Sequence, residues 1–164
     1  MATAAAGDLG DHEREGLLTP ISKSYGSDIG VDVASIGVQV HGGMGYVEET
    51  GAAQHLRDSR IAPIYEGTNG IQAMDLVGRK LRRDGGEAMR AMIADLQTIK
   101  SDADANNGQG EQDLDLCIHA LSKGIETLST ATDILLNAKD EHALSVATPY
   151  LLSLIHISEP TRPY

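Results

Sequence analysis

One carboxylate in this sequence lies in surroundings that suit acid–base chemistry. Glu66 follows the apolar pair Ile64-Tyr65 and precedes Gly67 and Thr68. Apolar surroundings disfavour the charged form of a carboxylate and make it a better proton acceptor, which suits a general base. Gly67 keeps the space beside the carboxylate open because glycine has no Cβ. The same residues also fit a solvated carboxylate in a surface loop, and both interpretations stay open.

A second candidate is the glycine-rich segment His41-Gly42-Gly43-Met44-Gly45. Glycine lets the backbone approach a phosphate closely, and consecutive N–H groups can bind the phosphate oxygens. The segment lacks the Lys-Ser/Thr pair of a P-loop, and it follows a helical pattern where a dinucleotide-binding motif would follow a strand. A phosphate-binding protein is therefore disfavoured, and a tight turn between two helices is the alternative.

The elements that position both loops have helical spacing. Apolar residues recur every three or four positions from Leu17 to Val40, and a short helix is predicted over Glu48 to Asp58. A third helix starts beside Glu66, capped by Asn69 or by Thr68. Gly85-Gly86 ends this helix, and further helical patterns cover residues 89–99, residues 114–135 and a last segment from Asp140.

The composition favours helix packing. The chain has 164 residues with no Phe and no Trp, so its core must consist of Ala, Leu, Ile, Val and Met. No alternating strand pattern of useful length is present. The sequence therefore predicts an all-α fold, an antiparallel helical bundle with additional C-terminal helices.

The charge balance excludes two classes of partner. Thirteen basic against 24 acidic residues give a net charge of −11, which argues against nucleic acid and against an anionic membrane surface. The basic run from Arg79 to Arg83 is interpreted as the solvated end of a helix. No apolar run is long enough for a membrane span.

The cysteine content and the N-terminal residues predict an intracellular protein. Cys117 is the only cysteine, so no internal disulfide is expected, and its Leu/Ile-rich surroundings predict a buried thiol. The histidines lack ligand spacing, and no metal site is predicted. The segment MATAAAGDLGDHERE lacks the basic and apolar regions of a signal peptide, so the expected location is cytoplasmic.

The two loops together, with their spacing, resemble one known family. The segments VASIGVQVHGGMGYVEE and HLRDSRIAPIYEGTNGIQAMDLVGRKL closely resemble the C-terminal helical domain of the acyl-CoA dehydrogenases, from about Leu17 to Leu81. The continuation GRKLRRDGGEAMRAMIADL, with ATPYL later, resembles the subgroup with an added C-terminal helical region, which includes the methylthiopropionyl-CoA dehydrogenases.

The resemblance implies a role for each residue of the two loops. Glu66 aligns with the base that removes the α-proton of an acyl-CoA thioester while a hydride passes to flavin N5. Tyr65 and Gly67 would border the thioester, and Thr68 would contact the flavin of its own site. The family also implies acyl-CoA as substrate, an electron-transfer protein as acceptor and a homo-oligomer. The FAD diphosphate of a neighbouring subunit would contact Gln39, Gly42 and Gly43.

The resemblance also divides the chain. Residues 1–15 are predicted as a disordered lead-in, residues 16–84 as the C-terminal helical domain, and residues 85–152 as the additional helical region. Residues 153–164, SLIHISEPTRPY, show no helical period and resemble translated sequencing-adapter read-through, so a non-native tail is expected and a genuine disordered tail is the alternative.

The helical domain and β-domain that precede this region in the family are absent from the sequence. We therefore expect a C-terminal fragment of an FAD-dependent enzyme that is inactive alone. The alternative is a non-catalytic helical interaction or oligomerisation module. The acidic surface and the self-contained helices favour this alternative.

Overall fold

The computed structural model describes residues 12–106 and 112–158, and within these ranges all regular structure is helical. This confirms the predicted all-α fold. In chain order the helices are α1 (His12–Val40), α2 (Gly43–Tyr46), a 3₁₀ turn (Glu48–Thr50), α3 (Ala52–Ser59), α4 (Asn69–Asp75), a π-helical segment (Leu76–Lys80), α5 (Leu81–Arg83), α6 (Glu87–Asn106), α7 (Gln112–Asn137), α8 (Asp140–Ser145) and α9 (Ala147–Ser158).

Helix α1 begins earlier than the apolar pattern predicted. It starts at His12 and contains Pro20, which is buried. Residues 12–15, predicted as part of a disordered lead-in, are therefore helical, and residues 1–11 lie outside the described ranges. The early start has a physical reason, since Arg14 pairs with Asp95 of α6 at 2.6 Å and Glu13 pairs with Arg83 at 2.9 Å.

The helix after Glu66 begins with a side-chain cap and contains a change of pitch. Thr68 Oγ1 accepts a hydrogen bond from the Ile71 N–H at 3.2 Å, so Thr68 is the cap of the two candidates. The helix changes from α-helical to π-helical geometry over Leu76–Lys80 and is α-helical again in α5. Ile71 and Met74, before this segment, are exposed, while Ala73, Leu76 and Leu81 are buried.

The core joins the start of α1 to α6, α7 and α9. Leu17, Val77, Met89 and Leu128 are among its buried members. Helices α6 and α7 run antiparallel, since Arg90 near the start of α6 faces Asp133 near the end of α7 at 3.4 Å. One core thus crosses the boundary between residues 16–84 and 85–152, and the division at that point stays a prediction.

The basic run is part of the bundle's packing. Arg82 donates to the carbonyl oxygens of Leu135 at 3.0 Å and Ala138 at 2.8 Å, and it pairs with Asp140. These carbonyls lie at the end of α7, where the last turn of a helix leaves acceptors unpaired. The expected solvated helix end is therefore wrong for Arg82, which connects α5 to the end of α7.

Two expectations about the second half of the chain are also wrong. Cys117 on α7 is exposed, where a buried thiol was predicted. Ser153 to Ser158 belong to α9, where no helical period was predicted, and Leu154 and Ile155 are buried. Residues 159–164 lie outside the described ranges, and the interpretation of residues 153–164 as non-native stays a prediction. None of the helices in the described parts is long and apolar enough to cross a membrane.

Candidate functional site

Glu66 lies in the loop between α3 and α4, which we call the Glu66 loop (residues 60–68). Several backbone hydrogen bonds shape this loop, and two of them flank Glu66. The Tyr65 N–H donates to the Ile61 carbonyl at 2.8 Å, and the Asn69 N–H donates to the Pro63 carbonyl at 3.0 Å. The second bond closes the chain into a tight bend with Glu66 inside it.

The backbone of Glu66 adopts a conformation that side-chain-bearing residues rarely take. Its φ is +53°, and it is the one non-glycine residue with positive φ in the described ranges. Such a conformation costs about 1–3 kcal/mol and is concentrated at functional sites. The surrounding hydrogen bonds must hold the residue in it.

Both polar groups of Glu66 are available. The side chain is exposed, and neither the carboxylate nor the backbone N–H of Glu66 has a hydrogen-bond or ion-pair partner among the described residues. The apolar surroundings expected from Ile64 and Tyr65 are not formed within this part of the chain, since both side chains are exposed. This geometry is compatible with a solvated carboxylate, and also with a general base that a ligand or another part of the protein covers.

The neighbours of Glu66 have separate reasons for their identity. Tyr65 is 65% exposed, so its ring is available to a ligand or another protein surface. Gly67 has φ +85°, and a Cβ there would lie 2.9 Å from Gln72 Nε2. Thr68 uses its hydroxyl oxygen to cap α4, and since a hydroxyl both donates and accepts, its hydrogen stays available.

Helix α1 holds the Glu66 loop through side chains that the sequence argument missed. Lys23 Nζ donates to the Gly67 carbonyl at 2.7 Å and to Asn69 Oδ1 at 3.1 Å, and Asn69 Nδ2 donates to Asp28 Oδ1 at 2.8 Å. A signal was present. Lys23 and Ser27, like Ser24 and Asp28, are four residues apart, so these side chains form a polar stripe on one face of α1.

Arg57 and Asp58, near the end of α3, make their side-chain contacts outside the Glu66 loop. Arg57 pairs with Glu48 at 2.6 Å, which connects α3 to the 3₁₀ turn. Asp58 accepts a hydrogen bond from Gln54 at 2.6 Å within α3. Their side chains therefore support α3 and the 3₁₀ turn.

The glycine-rich segment combines a turn with open backbone. Gly42 has φ +61°, which fits the predicted turn between α1 and α2. A Cβ at Gly45 would lie 2.2 Å from the Val38 carbonyl oxygen, so Gly45 is required for packing against α1. A Cβ at Gly42 or Gly43 would meet nothing within 4 Å.

The open backbone at Gly42 and Gly43 fits a phosphate-bearing cofactor. The positive φ of Gly42 accounts for glycine there, whereas neither a contact nor a positive φ accounts for it at Gly43. Both positions are exposed, as is Gln39. A diphosphate can approach such a backbone without meeting a side chain. In the described ranges, no group of three or more His, Cys, Asp or Glu side chains is placed to hold a metal ion.

The two candidate loops attach to α1 at different turns. The Glu66 loop is held by Lys23 to Asp28, whereas the glycine-rich segment packs near Gly37 and Val38. Gly37 is nine positions after Asp28, a distance of about 14 Å along a helix. The chain thus attaches the two loops at different turns of one helix and does not merge them into one cluster.

Comparisons with known proteins agree on one family. The family model described as "Acyl-CoA dehydrogenase, C-terminal domain" matches residues 1–81. The chain is 60% identical over 74 residues to the 3-methylmercaptopropionyl-CoA dehydrogenase of Ruegeria pomeroyi, which covers 45% of this chain and 13% of that protein. It is 42% identical over 62 residues to the human mitochondrial short-chain specific acyl-CoA dehydrogenase, covering 38% of this chain and 15% of that protein.

The match to another relative covers more of the chain. The broad-specificity linear acyl-CoA dehydrogenase FadE5 of Mycobacterium tuberculosis is 30% identical over 125 residues, which is 76% of this chain and 20% of that protein. The chain thus spans at most about a fifth of the length of these three relatives.

Proposed function

Residues 1–81 belong to the acyl-CoA dehydrogenase C-terminal domain family, and from this premise we propose that the full protein is an FAD-dependent acyl-CoA dehydrogenase. The reaction is the α,β-desaturation of an acyl-CoA thioester. The observation that carries the proposal is Glu66, whose carboxylate and backbone N–H both lack partners in the described residues while its φ is held at +53°.

Glu66 acts as the base in this proposal. Its carboxylate takes the proton from the carbon next to the thioester, the C–H bond breaks, and the electron pair moves towards the thioester carbonyl. The Glu66 N–H donates a hydrogen bond to that oxygen as negative charge develops there, which lowers the barrier as an oxyanion hole does. Substrate and the rest of the protein exclude water and make the carboxylate a stronger base.

The neighbouring residues bind and orient. Tyr65 and Gly67 border the thioester, and the free hydroxyl hydrogen of Thr68 is offered to the flavin of the same site. The open backbone of Gly42 and Gly43, with Gln39, binds the FAD diphosphate of a neighbouring subunit. FAD, when bound, supplies the acceptor for the hydride that leaves the β-carbon.

The proposal includes partners that cover the exposed apolar surface. Val33, Ile36, Val40 and Tyr46 are each at least 60% exposed, a concentration of apolar surface that usually marks an interface. The remaining domains of the enzyme and a second subunit would bury this surface. An electron-transfer protein would accept the electrons from the reduced cofactor. The expected location of the enzyme is cytoplasmic.

A non-catalytic interaction module is the second candidate. The packed core favours it, because the start of α1 and the described part of residues 73–158 form this core within the chain itself. The two candidates differ in one respect, since a module has no need of a strained Glu66 with free polar groups.

Replacing Glu66 in the full-length protein tests the proposal. Glu66→Gln keeps the shape of the side chain but cannot accept a proton, so acyl-CoA turnover is expected to fall by about 10³-fold or more, which is within or above the range of general-base effects. FAD content should stay unchanged. The matched control is Glu49→Gln, an exposed carboxylate of the 3₁₀ turn, for which turnover should stay at the wild-type rate. Wild-type turnover by Glu66→Gln would favour the interaction module.

A further inference from the structure

Lys23 and Asp28 of α1 form a polar cluster with Asn69 of α4, and this cluster holds the C-terminal side of the Glu66 loop. Lys23 Nζ reaches the carbonyl oxygen of Gly67, the residue after Glu66, at 2.7 Å. The same ammonium donates to Asn69 Oδ1 at 3.1 Å, and Asn69 Nδ2 donates to Asp28 Oδ1 at 2.8 Å. These groups are half-buried, where hydrogen bonds to charged partners are stronger than at an open surface.

The amide of Asn69 has a fixed orientation in this cluster. Its oxygen faces the ammonium of Lys23 and its nitrogen faces the carboxylate of Asp28. The amide thus connects a cation to an anion. The opposite amide orientation would place a donor against the ammonium and an acceptor against the carboxylate. An aspartate at position 69 would place two carboxylates against each other.

The cluster acts on Glu66 through the backbone. The Asn69 N–H binds the Pro63 carbonyl at 3.0 Å, and Lys23 binds the Gly67 carbonyl at 2.7 Å. The backbone is thereby held on both sides of Glu66, whose φ is +53°. Lys23 does not contact the Glu66 carboxylate, so its influence on that group is one of position.

We propose that Lys23, Asn69 and Asp28 are positioning residues, which hold the Glu66 backbone in its left-handed conformation and so aim its carboxylate and N–H. The catalytic consequence rests on the proposed function. The mechanical consequence, an ordered Glu66 loop, does not, and the two are measured separately.

A paired substitution in the full-length protein tests the central contact. Asn69→Asp replaces the Nδ2 donor by oxygen opposite Asp28, and we expect amide hydrogen exchange across residues 61–71 to rise about tenfold or more as the loop opens locally. Adding Asp28→Asn to Asn69→Asp restores a donor–acceptor pair with the roles exchanged. Exchange in this double variant should return to within about twofold of wild type, as expected for coupled partners. Wild-type exchange in Asn69→Asp, or failure of the double variant to recover, would overturn the proposal.

The kinetic readout separates positioning from binding. Misplacement of a reacting group lowers the rate by about 10- to 100-fold, so Asn69→Asp should lower kcat by that amount with little change in KM, and the double variant should recover kcat. Unchanged kcat in an Asn69→Asp protein whose loop exchange has risen would contradict the positioning role. If Glu66→Gln keeps full turnover while the exchange results hold, the proposed function fails and the mechanical role of the cluster stands.

A second set of variants covers the case in which Asn69→Asp does not fold. Lys23→Met removes the ammonium and keeps an apolar stem, and Lys23→Arg keeps a cationic donor. We expect faster loop exchange and lower kcat in Lys23→Met and partial recovery in Lys23→Arg. The matched control is Lys100→Met, which removes a lysine that pairs with Asp104 at 2.7 Å on α6. Equal effects of Lys23→Met and Lys100→Met on the loop would overturn the proposal.

Discussion

The two halves of the described molecule differ in how far their apolar side chains are buried. In the bundle, formed by the start of α1 and by residues 76–106 and 112–158, side chains such as Leu81, Met89 and Leu128 are at most 1% exposed. In the site region, residues 25–75, Val40 is 79% and Tyr46 is 83% exposed. Both halves carry apolar seams at helical spacing, but only the bundle covers its seam.

This contrast separates residues that fold the chain from residues that serve the site. The bundle buries enough apolar surface to organise its own helices. The site region is held largely by polar contacts to α1 and by glycine-dependent turns, and it leaves apolar side chains and the polar groups of Glu66 unused. Such a surface is what a segment of a larger enzyme presents to the domains, cofactor and subunit proposed above.

The largest expected loss of stability comes from shortening a buried side chain in the core of the bundle. Leu128 is 1% exposed, so Leu128→Ala is expected to lower the free energy of unfolding by about 2–5 kcal/mol. Leu116, on the same helix but 63% exposed, is the matched control, and Leu116→Ala should change stability by less than about 0.5 kcal/mol. Urea unfolding curves measure both, and equal losses would remove the distinction between the two faces of α7.

The bundle should also weaken in strong base through Tyr150. Burial raises the pKa of Tyr150 to about 12 from its ordinary 10.0, although its hydrogen bond with Thr132 opposes the rise. Because the unfolded chain ionises first, this contribution is complete below pH 10 and falls, by up to about 1.4 kcal/mol per pH unit, as the pH rises towards 12. Denaturant curves between pH 9 and 11 measure the slope, which should be shallower in Tyr150→Phe. An identical slope in that variant would contradict the assignment.

Two neighbouring glycines of the site region should respond differently. Gly45→Ala places a methyl group 2.2 Å from the Val38 carbonyl and should cost about 1–3 kcal/mol of stability. Gly43→Ala meets nothing within 4 Å, so it should leave stability within about 0.5 kcal/mol while lowering FAD retention of the full-length protein. Thermal melts and flavin content after purification distinguish the two, and full FAD retention in Gly43→Ala would contradict the cofactor role.

Much of the helical organisation was predictable because apolar spacing reports directly on helix faces. What the spacing could not report is whether a face is covered. Ile71, Met74, Val77 and Leu81 follow one another at spacings of three and four residues, yet only Val77 and Leu81 are buried. Arg82 was predictable as a helix-terminal cation, but its carbonyl partners lie more than 50 residues away.

The site was predictable to the extent that it depends on local chain. The cap at Thr68 follows from neighbouring residues, as does the need for glycine at position 67 beside Glu66. The contacts of Lys23 with Gly67 and Asn69 span more than 40 residues. The local pattern marks the polar stripe on α1 but does not identify the residues that pair with it.

The most direct test of the central claim is single-turnover flavin reduction by the full-length protein, followed anaerobically after mixing with acyl-CoA. With wild type, flavin absorbance should bleach rapidly, and more slowly when the α-carbon carries deuterium. With Glu66→Gln, FAD should remain bound and bleaching should slow by about 10³-fold or more. Bleaching of Glu66→Gln at the wild-type rate would contradict the assignment of Glu66 as the base.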